Sequence, residues 1–164
     1  VRLMQEGGAK IVKLEGGAGQ VEIVEFLAGH DIAVCAHLGL KPQSVHKVGG
    51  FRVQGREEAA AEEMLRDALA LEAAGADVVL LECIPAKLGA EITKALHVPV
   101  IGIGAGPDTD GQILVLYDVL NITAGRKPRF SKDFMSGQDS PLDALKAYVQ
   151  AVKERTYPAA EHCF

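Results

Sequence analysis

The sequence predicts an α/β fold of parallel strands and helices that forms part of a (βα)8 barrel. Four apolar runs with helical segments between them carry this prediction, because strands buried on both faces of a parallel sheet read as continuous apolar stretches. Each run ends in a polar or glycine-rich cluster. Clusters gathered at the same end of every strand favour a barrel over a flavodoxin-like sheet. The predicted strands span residues 11–15, 32–37, 78–82 and 100–103.

An internal similarity supports repeated βα units. Residues 8–15 align with residues 75–82, with glycine matched to glycine and glutamate to glutamate. Both stretches are typical of a helix end, a turn, a buried strand and a Glu at the end of the strand. Repetition of one βα unit is what a barrel or a doubly wound sheet produces. Chance similarity between two buried strands is the alternative.

Helical segments are assigned from composition and amphipathic spacing. Residues 56–74 are rich in Ala, Leu and Glu, which favour helix, and acidic residues occupy their first turns. Residues 112–120 are predicted as a short apolar helix or strand. Further helices are predicted at 19–29, 86–96 and 141–155.

Composition describes one domain of ordinary size, residues 1–164, with a C-terminal tail at 156–164. The 164 residues are 48% hydrophobic and 24% charged. A net charge of −5 and 5% aromatic residues argue against nucleic-acid binding, and no apolar run approaches the roughly 18 residues that span a bilayer. Three cysteines without CxxC spacing indicate a reducing compartment, so we expect a cytoplasmic location. Tails of this kind often pack on a neighbouring subunit, which predicts a homo-oligomer.

Glu82 is the first candidate for chemistry. It follows the apolar run at 78–81 and so sits at the C-terminal end of a buried strand, where the active sites of parallel α/β folds are built. A carboxylate at the border of an apolar core rarely occurs without a partner, because burying its charge is costly. One hypothesis makes Glu82 a catalytic base. The alternative is a structural Glu that caps the next helix or pairs with a lysine.

Lys13, Glu15 and His37 form a second group of candidates. Lys13 and Glu15 are two residues apart in a strand, so their side chains project from the same face of the sheet. Such a pair suits an anionic substrate, held by the lysine, or a metal, held by the carboxylate. An internal ion pair is the alternative. His37 ends the next strand, where it is either a core residue or part of the same site.

Two loops offer weaker signals. Residues 41–56 have no clear period, and long loops in compact α/β domains are commonly lids or binding loops. His46 and Lys47 in this loop either contact substrate or are solvated. The turn at 102–106 has the spacing GxGxG, which lacks the GxGxxG of dinucleotide-binding folds. We expect its glycines to permit close approach of the backbone to a ligand.

Six motifs occur in order along the chain. They are KLEGG at 13–17, CAHLGLKPQSV at 35–45, GGFRVQGR at 49–56, LECIP at 81–85, IGIGAG at 101–106 and KPRF at 127–130. Together they closely resemble the ketopantoate hydroxymethyltransferase family, and the resemblance runs through essentially the whole chain.

The resemblance implies a (βα)8 barrel that transfers a hydroxymethyl group from 5,10-methylenetetrahydrofolate to 3-methyl-2-oxobutanoate with the help of Mg²⁺. Glu82 matches the family's catalytic base, and Glu15 matches a carboxylate of its metal site. Lys13 matches a substrate-binding lysine, and His37 matches an active-site histidine that we expect to bind substrate. A base removes a proton beside the ketone, while Mg²⁺ and a lysine supply the positive charge that holds the enolate. The implied partners are a small keto acid and a folate.

The sequence departs from the family pattern at its start. Family members carry further βα units before this point, including two aspartates that bind the metal, and this sequence has no counterpart for them. It opens at Val1 with residues 1–8, which look like the end of a helix. We therefore expect N-terminal βα units to be missing from this chain. The chain alone is expected to be weakly active or inactive, since Mg²⁺ usually needs more than one carboxylate.

Two other functions remain open. One is a Mg²⁺-dependent, enolate-forming lyase or mutase of the isocitrate lyase and phosphoenolpyruvate mutase kind, to which this family is structurally similar. The other is a non-catalytic fragment that acts in assembly through its tail. A folate requirement separates the first from the family function, and failure to bind 3-methyl-2-oxobutanoate would favour the second.

Overall fold

The computed structural model describes residues 1–44 and 52–164, and these contain a parallel β-sheet flanked by helices. Its strands are β1 Val12–Glu15, β2 Val34–Gly39, β3 Val78–Glu82, β4 Val100–Ile103 and β5 Gly111–Gln112. The spatial order is β1-β2-β3-β4-β5, and every neighbouring pair is parallel. A doubly wound sheet reverses its order at a switch point, whereas a barrel winds in one direction. The predicted α/β class is confirmed, and the sequential order is that of a segment of a (βα)8 barrel.

One short helix precedes the first strand, and the other helices connect the first four strands or follow the last one. They are α1 Arg2–Gln5, α2 Val21–Ala28, α3 Glu58–Ala73, α4 Ala86–Ala95, α5 Leu116–Val119 and α6 Pro141–Lys153, with 3₁₀ turns at Ala18–Gln20, Pro42–Ser44 and Ala160–His162. In the described ranges, no helix has the length and apolar character needed to cross a membrane.

The predicted and observed elements differ mainly at their ends. β3 and β4 have the predicted bounds, while β2 begins later than expected and continues through Gly39. The long helix begins at Glu58 because Glu57 has an extended backbone, with φ −79° and ψ 141°. We expected residues 112–120 to form one short helix or strand, but Gln112 ends β5, residues 113–115 belong to no element, and α5 spans Leu116–Val119.

The helix-facing side of the sheet forms the main hydrophobic core. Side chains alternate between the two faces along each strand, so Val79 and Leu81 of β3 point toward the helices and are fully buried. Leu71 of α3 and Ile92 of α4 meet them and are also fully buried. The opposite side, here called the inner face, carries the candidate residues at the C-terminal ends of the strands.

The C-terminal region packs on its own chain. Val119, Phe134, Ala144 and Tyr157 form a separate buried cluster between α5, α6 and the start of the tail. The tail then returns to the sheet, where the carbonyl of Phe164 accepts a hydrogen bond from the amide of Ala86, 3.0 Å away. The expected contact of the tail with a neighbouring subunit stays a prediction.

Candidate active site

Glu15, His37 and Glu82 meet at the C-terminal end of the inner face. Glu15 and His37 are register partners in the β1–β2 pair. Glu82 is the register partner of Gly39, two residues beyond His37, in the β2–β3 pair. Because all three side chains project from the same face, strand register alone brings them together. The structure thus gathers residues that the sequence places at three separate strand ends.

His37 lies between the two carboxylates. Its Nδ1 is 3.5 Å from Oε1 of Glu15, and its Nε2 is 3.1 Å from Oε2 of Glu82. The imidazole has no solvent exposure, and neither ring nitrogen has hydrogen-bonding geometry toward these oxygens. A buried ring whose nitrogens make no hydrogen bond among the described residues is unusual for a core histidine, so its place in the same site stays the prediction that we carry forward.

Lys13 extends the cluster toward solvent. Its Nζ is 3.8 Å from Oε1 of Glu15, and its side chain is 48% exposed, against 15% for Glu15. The internal ion pair considered from the sequence is therefore present, but it is long. An ammonium group that is half exposed keeps donors free for a ligand carboxylate. The pair is compatible with both interpretations of the sequence.

Among the described residues, Glu82 makes neither of the structural contacts considered as alternatives. The N-cap of α4 is Pro85, which makes no side-chain capping hydrogen bond. Within the part of the chain that is described, the ion-pair contact of Glu82 is with His37 and not with a lysine. Its side chain is 14% exposed, so a ligand can reach it. A partly exposed carboxylate beside a buried imidazole is suited to proton transfer.

Gly39 creates the space in which Glu82 sits. Its φ is +89°, a conformation that L side chains rarely adopt, and a Cβ at this position would clash with the carbonyl of Glu82 and approach Cγ2 of Ile84 to 2.9 Å. The amide of Leu40 donates to that same carbonyl over 2.8 Å. Gly39 is a site residue that the sequence did not predict, and its position after a strand-end histidine is the only signal for it that the sequence offers.

Cys83 turns the chain directly after Glu82. Its φ of 53° is left-handed, which is uncommon for a residue with a side chain and is found preferentially at functional sites. Burial raises the pKa of the Cys83 thiol to about 11, and the Glu82 carboxylate adds to the rise while Arg56 acts against it. The thiol is therefore protonated at neutral pH and is unsuited to nucleophilic catalysis.

The β3–β4 side of the inner face is apolar. Leu80 is two residues before Glu82 on the same face, and Ile103 is the register partner of Glu82. Both are nearly buried and belong to one cluster with Phe130. The inner face is thus divided, with ionisable groups on β1 and β2, apolar groups on β3 and β4, and Glu82 at the border.

The glycine turn after β4 is filled by the protein itself. A Cβ on Gly104, where φ is +63°, would lie 2.5 Å from the ring of Phe130. A Cβ on Gly106, where φ is +85°, would lie 2.5 Å from Cβ of Ala86. The glycines permit close approach, as expected, but the groups that approach are Phe130 and the start of α4. The expected approach of a ligand to this turn stays a prediction.

Two cavities lie outside the cluster of Glu15, His37 and Glu82. One of about 480 Å³ is lined by residues 52–57 and Ala60, and another of about 220 Å³ lies between the ends of β1 and β2 and the first half of α3. Neither is lined by Glu15, His37 or Glu82. Both adjoin the loop predicted at 41–56, and its candidates His46 and Lys47 lie outside the described residues.

Glu15 fits the role of one ligand to a magnesium ion. Its Oε2 is buried and has no hydrogen-bond partner among residues 1–44 and 52–164, and a carboxylate oxygen is the type of ligand that Mg²⁺ prefers. The described ranges contain no group of three or more His, Cys, Asp or Glu side chains arranged to hold a metal. Magnesium is often held by one or two carboxylates together with water and substrate, so a single protein ligand in this segment is chemically reasonable.

Parallel strands in sequential order, with ionisable side chains at their carboxyl ends, are the arrangement found in enzymes of the α/β barrel class. Within that class, the chain belongs to the ketopantoate hydroxymethyltransferase family, whose sequence model matches residues 1–160.

Relatives named 3-methyl-2-oxobutanoate hydroxymethyltransferase match nearly the whole chain. The one from Alkalilimnicola ehrlichii is 65% identical over 163 residues, which is 99% of this chain and 59% of the relative. The one from Halorhodospira halophila is 60% identical over 99% of this chain and 59% of the relative. The one from Marinobacter nauticus is 58% identical over 98% of this chain and 61% of the relative. The chain therefore spans about 60% of the length of these relatives.

Proposed function

We propose that this chain contributes the base, the substrate-binding residues and one metal carboxylate of a 3-methyl-2-oxobutanoate hydroxymethyltransferase of pantothenate biosynthesis. The reaction adds a hydroxymethyl group from 5,10-methylenetetrahydrofolate to 3-methyl-2-oxobutanoate and gives 2-dehydropantoate. Family membership supports this reaction. The observation that carries the proposal is the partly exposed Glu82 carboxylate, 3.1 Å from a fully buried His37 and next to the apolar groups of β3 and β4.

Glu82 acts as the base. Its low exposure limits competition from bulk water, and its position at the border of the two halves of the inner face lets it reach an apolar carbon next to a polar group. It takes the proton from C3 of the keto acid. The electron pair left at C3 forms the bond to the methylene carbon of the folate as one of that carbon's two C–N bonds breaks. Water then displaces the second nitrogen and supplies the hydroxyl oxygen. Tetrahydrofolate leaves, and its two freed nitrogens take up the proton from C3 and one proton from the water.

The groups on β1 and β2 bind the polar end of the substrate. Lys13 attracts the substrate carboxylate as a point charge, and His37 offers a ring nitrogen to an oxygen of the keto acid. Mg²⁺ would be held in this segment through Oε2 of Glu15, and when bound it would supply positive charge for the developing enolate. These roles follow from the same division of the inner face.

The test measures hydroxymethyl transfer with 3-methyl-2-oxobutanoate, 5,10-methylenetetrahydrofolate and Mg²⁺. Two proteins are compared. One is this chain alone, and the other, called the completed chain, is this chain joined to the part of the Alkalilimnicola ehrlichii relative that this chain does not cover. Glu82→Gln is expected to lower kcat by about 10²–10⁴-fold, the range for loss of a general base. Glu72→Gln is the control, because Glu72 is a comparably sheltered carboxylate that accepts backbone hydrogen bonds from His97 and Val98.

The other outcomes select between functions. Full activity of Glu82→Gln in the completed chain would mean that the base is a different residue. Conversion of a keto acid without folate would favour the lyase or mutase alternative. Absence of both activity and keto-acid binding in every form would favour a role in assembly. A cytoplasmic homo-oligomer is part of the proposal, and light scattering on the completed chain tests its oligomeric state.

A further inference from the structure

Phe130 belongs to the apolar half of the inner face although it is not part of the sheet. It is 7% exposed and shares a buried cluster with Leu80 and Ile103, the two residues that border Glu82. No strand or helix holds Phe130, since it lies in the connection between α5 and α6. Its ring rests on Gly104, where any larger residue would displace it. Its position must therefore be fixed by contacts from elsewhere in the chain.

The C-terminal segment supplies these contacts. The buried hydroxyl of Tyr157 donates to the carbonyl of Phe130 over 2.5 Å. The ring of Phe164 meets that of Phe130 edge to face, with centroids 6.4 Å apart. Arg129 lies 5.6 Å from the centroid of Phe164 and donates through Nε to the carbonyl of Glu161 over 3.0 Å. Arg129 and Phe130 are thus both held by contacts with the tail.

The tail is itself anchored at two points. Tyr157 packs edge to face against Phe134 and Tyr148, with centroid distances of 5.3 and 5.9 Å. At the other end, the Phe164 carbonyl accepts from the amide of Ala86, the first residue of the helix that follows Glu82. A segment fixed at both ends transmits its position to Phe130 rather than following it.

We propose that the segment from Tyr157 to Phe164 is a positioning element that holds Phe130 as the apolar wall of the site and so sets its preference for branched 2-oxo acids. The proposal rests on the proposed function and deepens it. With the polar end of the substrate on β1 and β2, its alkyl branch lies on β3 and β4. The methyl groups of the branch then meet Leu80, Ile103 and Phe130.

The variant Tyr157→Phe tests this inference, with Tyr148→Phe as its matched control. Both tyrosines belong to the same aromatic cluster, and each substitution removes one hydroxyl that donates to a backbone carbonyl. The hydroxyl of Tyr148 donates to Gln112 over 3.0 Å and does not contact Phe130. The two variants lose comparable hydrogen bonds, but only one of them releases the wall.

The readout is selectivity between 3-methyl-2-oxobutanoate and 2-oxobutanoate, which lacks one methyl group. A pocket that contacts that methyl discriminates by about 10-fold or more in kcat/KM. In the completed chain, Tyr157→Phe should reduce this ratio about threefold, through a higher KM for the branched acid with little change in kcat, because an interaction that fixes the alkyl group acts on binding. Tyr148→Phe should leave the ratio unchanged. Equal ratios in the two variants, or no change in either, would overturn the proposal.

A second measurement tests the positioning of Phe130 by the tail without depending on enzyme activity. The ¹³C-methyl resonance of Ile103 should move in Tyr157→Phe and not in Tyr148→Phe, because the ring of Phe130 packs in the same cluster. If the methyl moves and no form of the protein is active, the positioning role stands and the proposed reaction fails. If the methyl does not move, the tail does not position Phe130, whatever the activity.

Discussion

Gly39→Ala should damage the protein by crowding Glu82, and its cost can be worked out from the backbone. Gly39 has a φ of +89°, and an added methyl group would meet the Glu82 carbonyl and Ile84. Gly125 has a similar φ of +83°, but a methyl group there meets nothing within 4 Å. The two substitutions therefore share the cost of the left-handed backbone and differ in the clash.

The expected free energies follow from these two contributions. A left-handed conformation costs a residue with a Cβ about 1–2 kcal/mol, which is the whole expected loss of stability for Gly125→Ala. Overpacking in a close-packed region adds about 1–3 kcal/mol, so Gly39→Ala should lose about 2–5 kcal/mol. For a chain of this size, each 1 kcal/mol lowers the Tm by about 2–4 °C.

Urea unfolding of the two variants and the wild type measures the difference. We expect the urea midpoint to fall more for Gly39→Ala than for Gly125→Ala, with unchanged slopes in all three proteins. In the completed chain, Gly39→Ala should also lower kcat, because the Glu82 backbone has to move. Equal losses of stability in the two variants would refute the argument that close approach to Glu82 requires glycine at this position.

Two further predictions concern stability away from the carboxylates. Burial lowers the pKa of His162, with Lys132 acting in the same direction and Glu161 against it, so the folded protein binds fewer protons than the unfolded chain. The contribution of His162 to the free energy of unfolding should be full above 6.5, the pKa of histidine in the unfolded chain, and should fall as the pH drops below it. Urea midpoints measured from pH 8 to 5 should therefore decline less in His162→Gln than in the wild type. Ser140 caps α6 by accepting from the amide of Asp143 over 3.2 Å, so Ser140→Ala should cost about 1 kcal/mol by the same assay, and a cost near zero would contradict the cap.

The sequence predicts the fold well where local patterns are strong. β3 and β4 are uninterrupted apolar runs, and a buried parallel strand has few other ways to appear in a sequence. Strand β5 could not be predicted with its bounds, because it has two residues, one of them glycine, and exists through pairing with Ile101 and Gly102. Short edge strands depend on the neighbouring strand rather than on their own residues.

The residues of the candidate site could be predicted from the sequence, but the contacts between them could not. The period of two places Lys13 and Glu15 on one face from sequence alone. The contact of His37 with both carboxylates depends on the register between strands, which is fixed by packing over the whole sheet. The filling of the glycine turn by Phe130 joins residues far apart in sequence, and no local pattern indicates it.

The alternation along β3 separates packing from chemistry within a single strand. Val79 and Leu81 belong to the layer under the helices, whereas Leu80 and Glu82 belong to the inner face. Directed evolution could therefore randomise position 80, together with 103, to search for altered substrate range while the helix-facing layer stays intact. A separate library at 79 and 81 would search for heat tolerance with the pocket unchanged, so the two traits can be selected in parallel and then recombined.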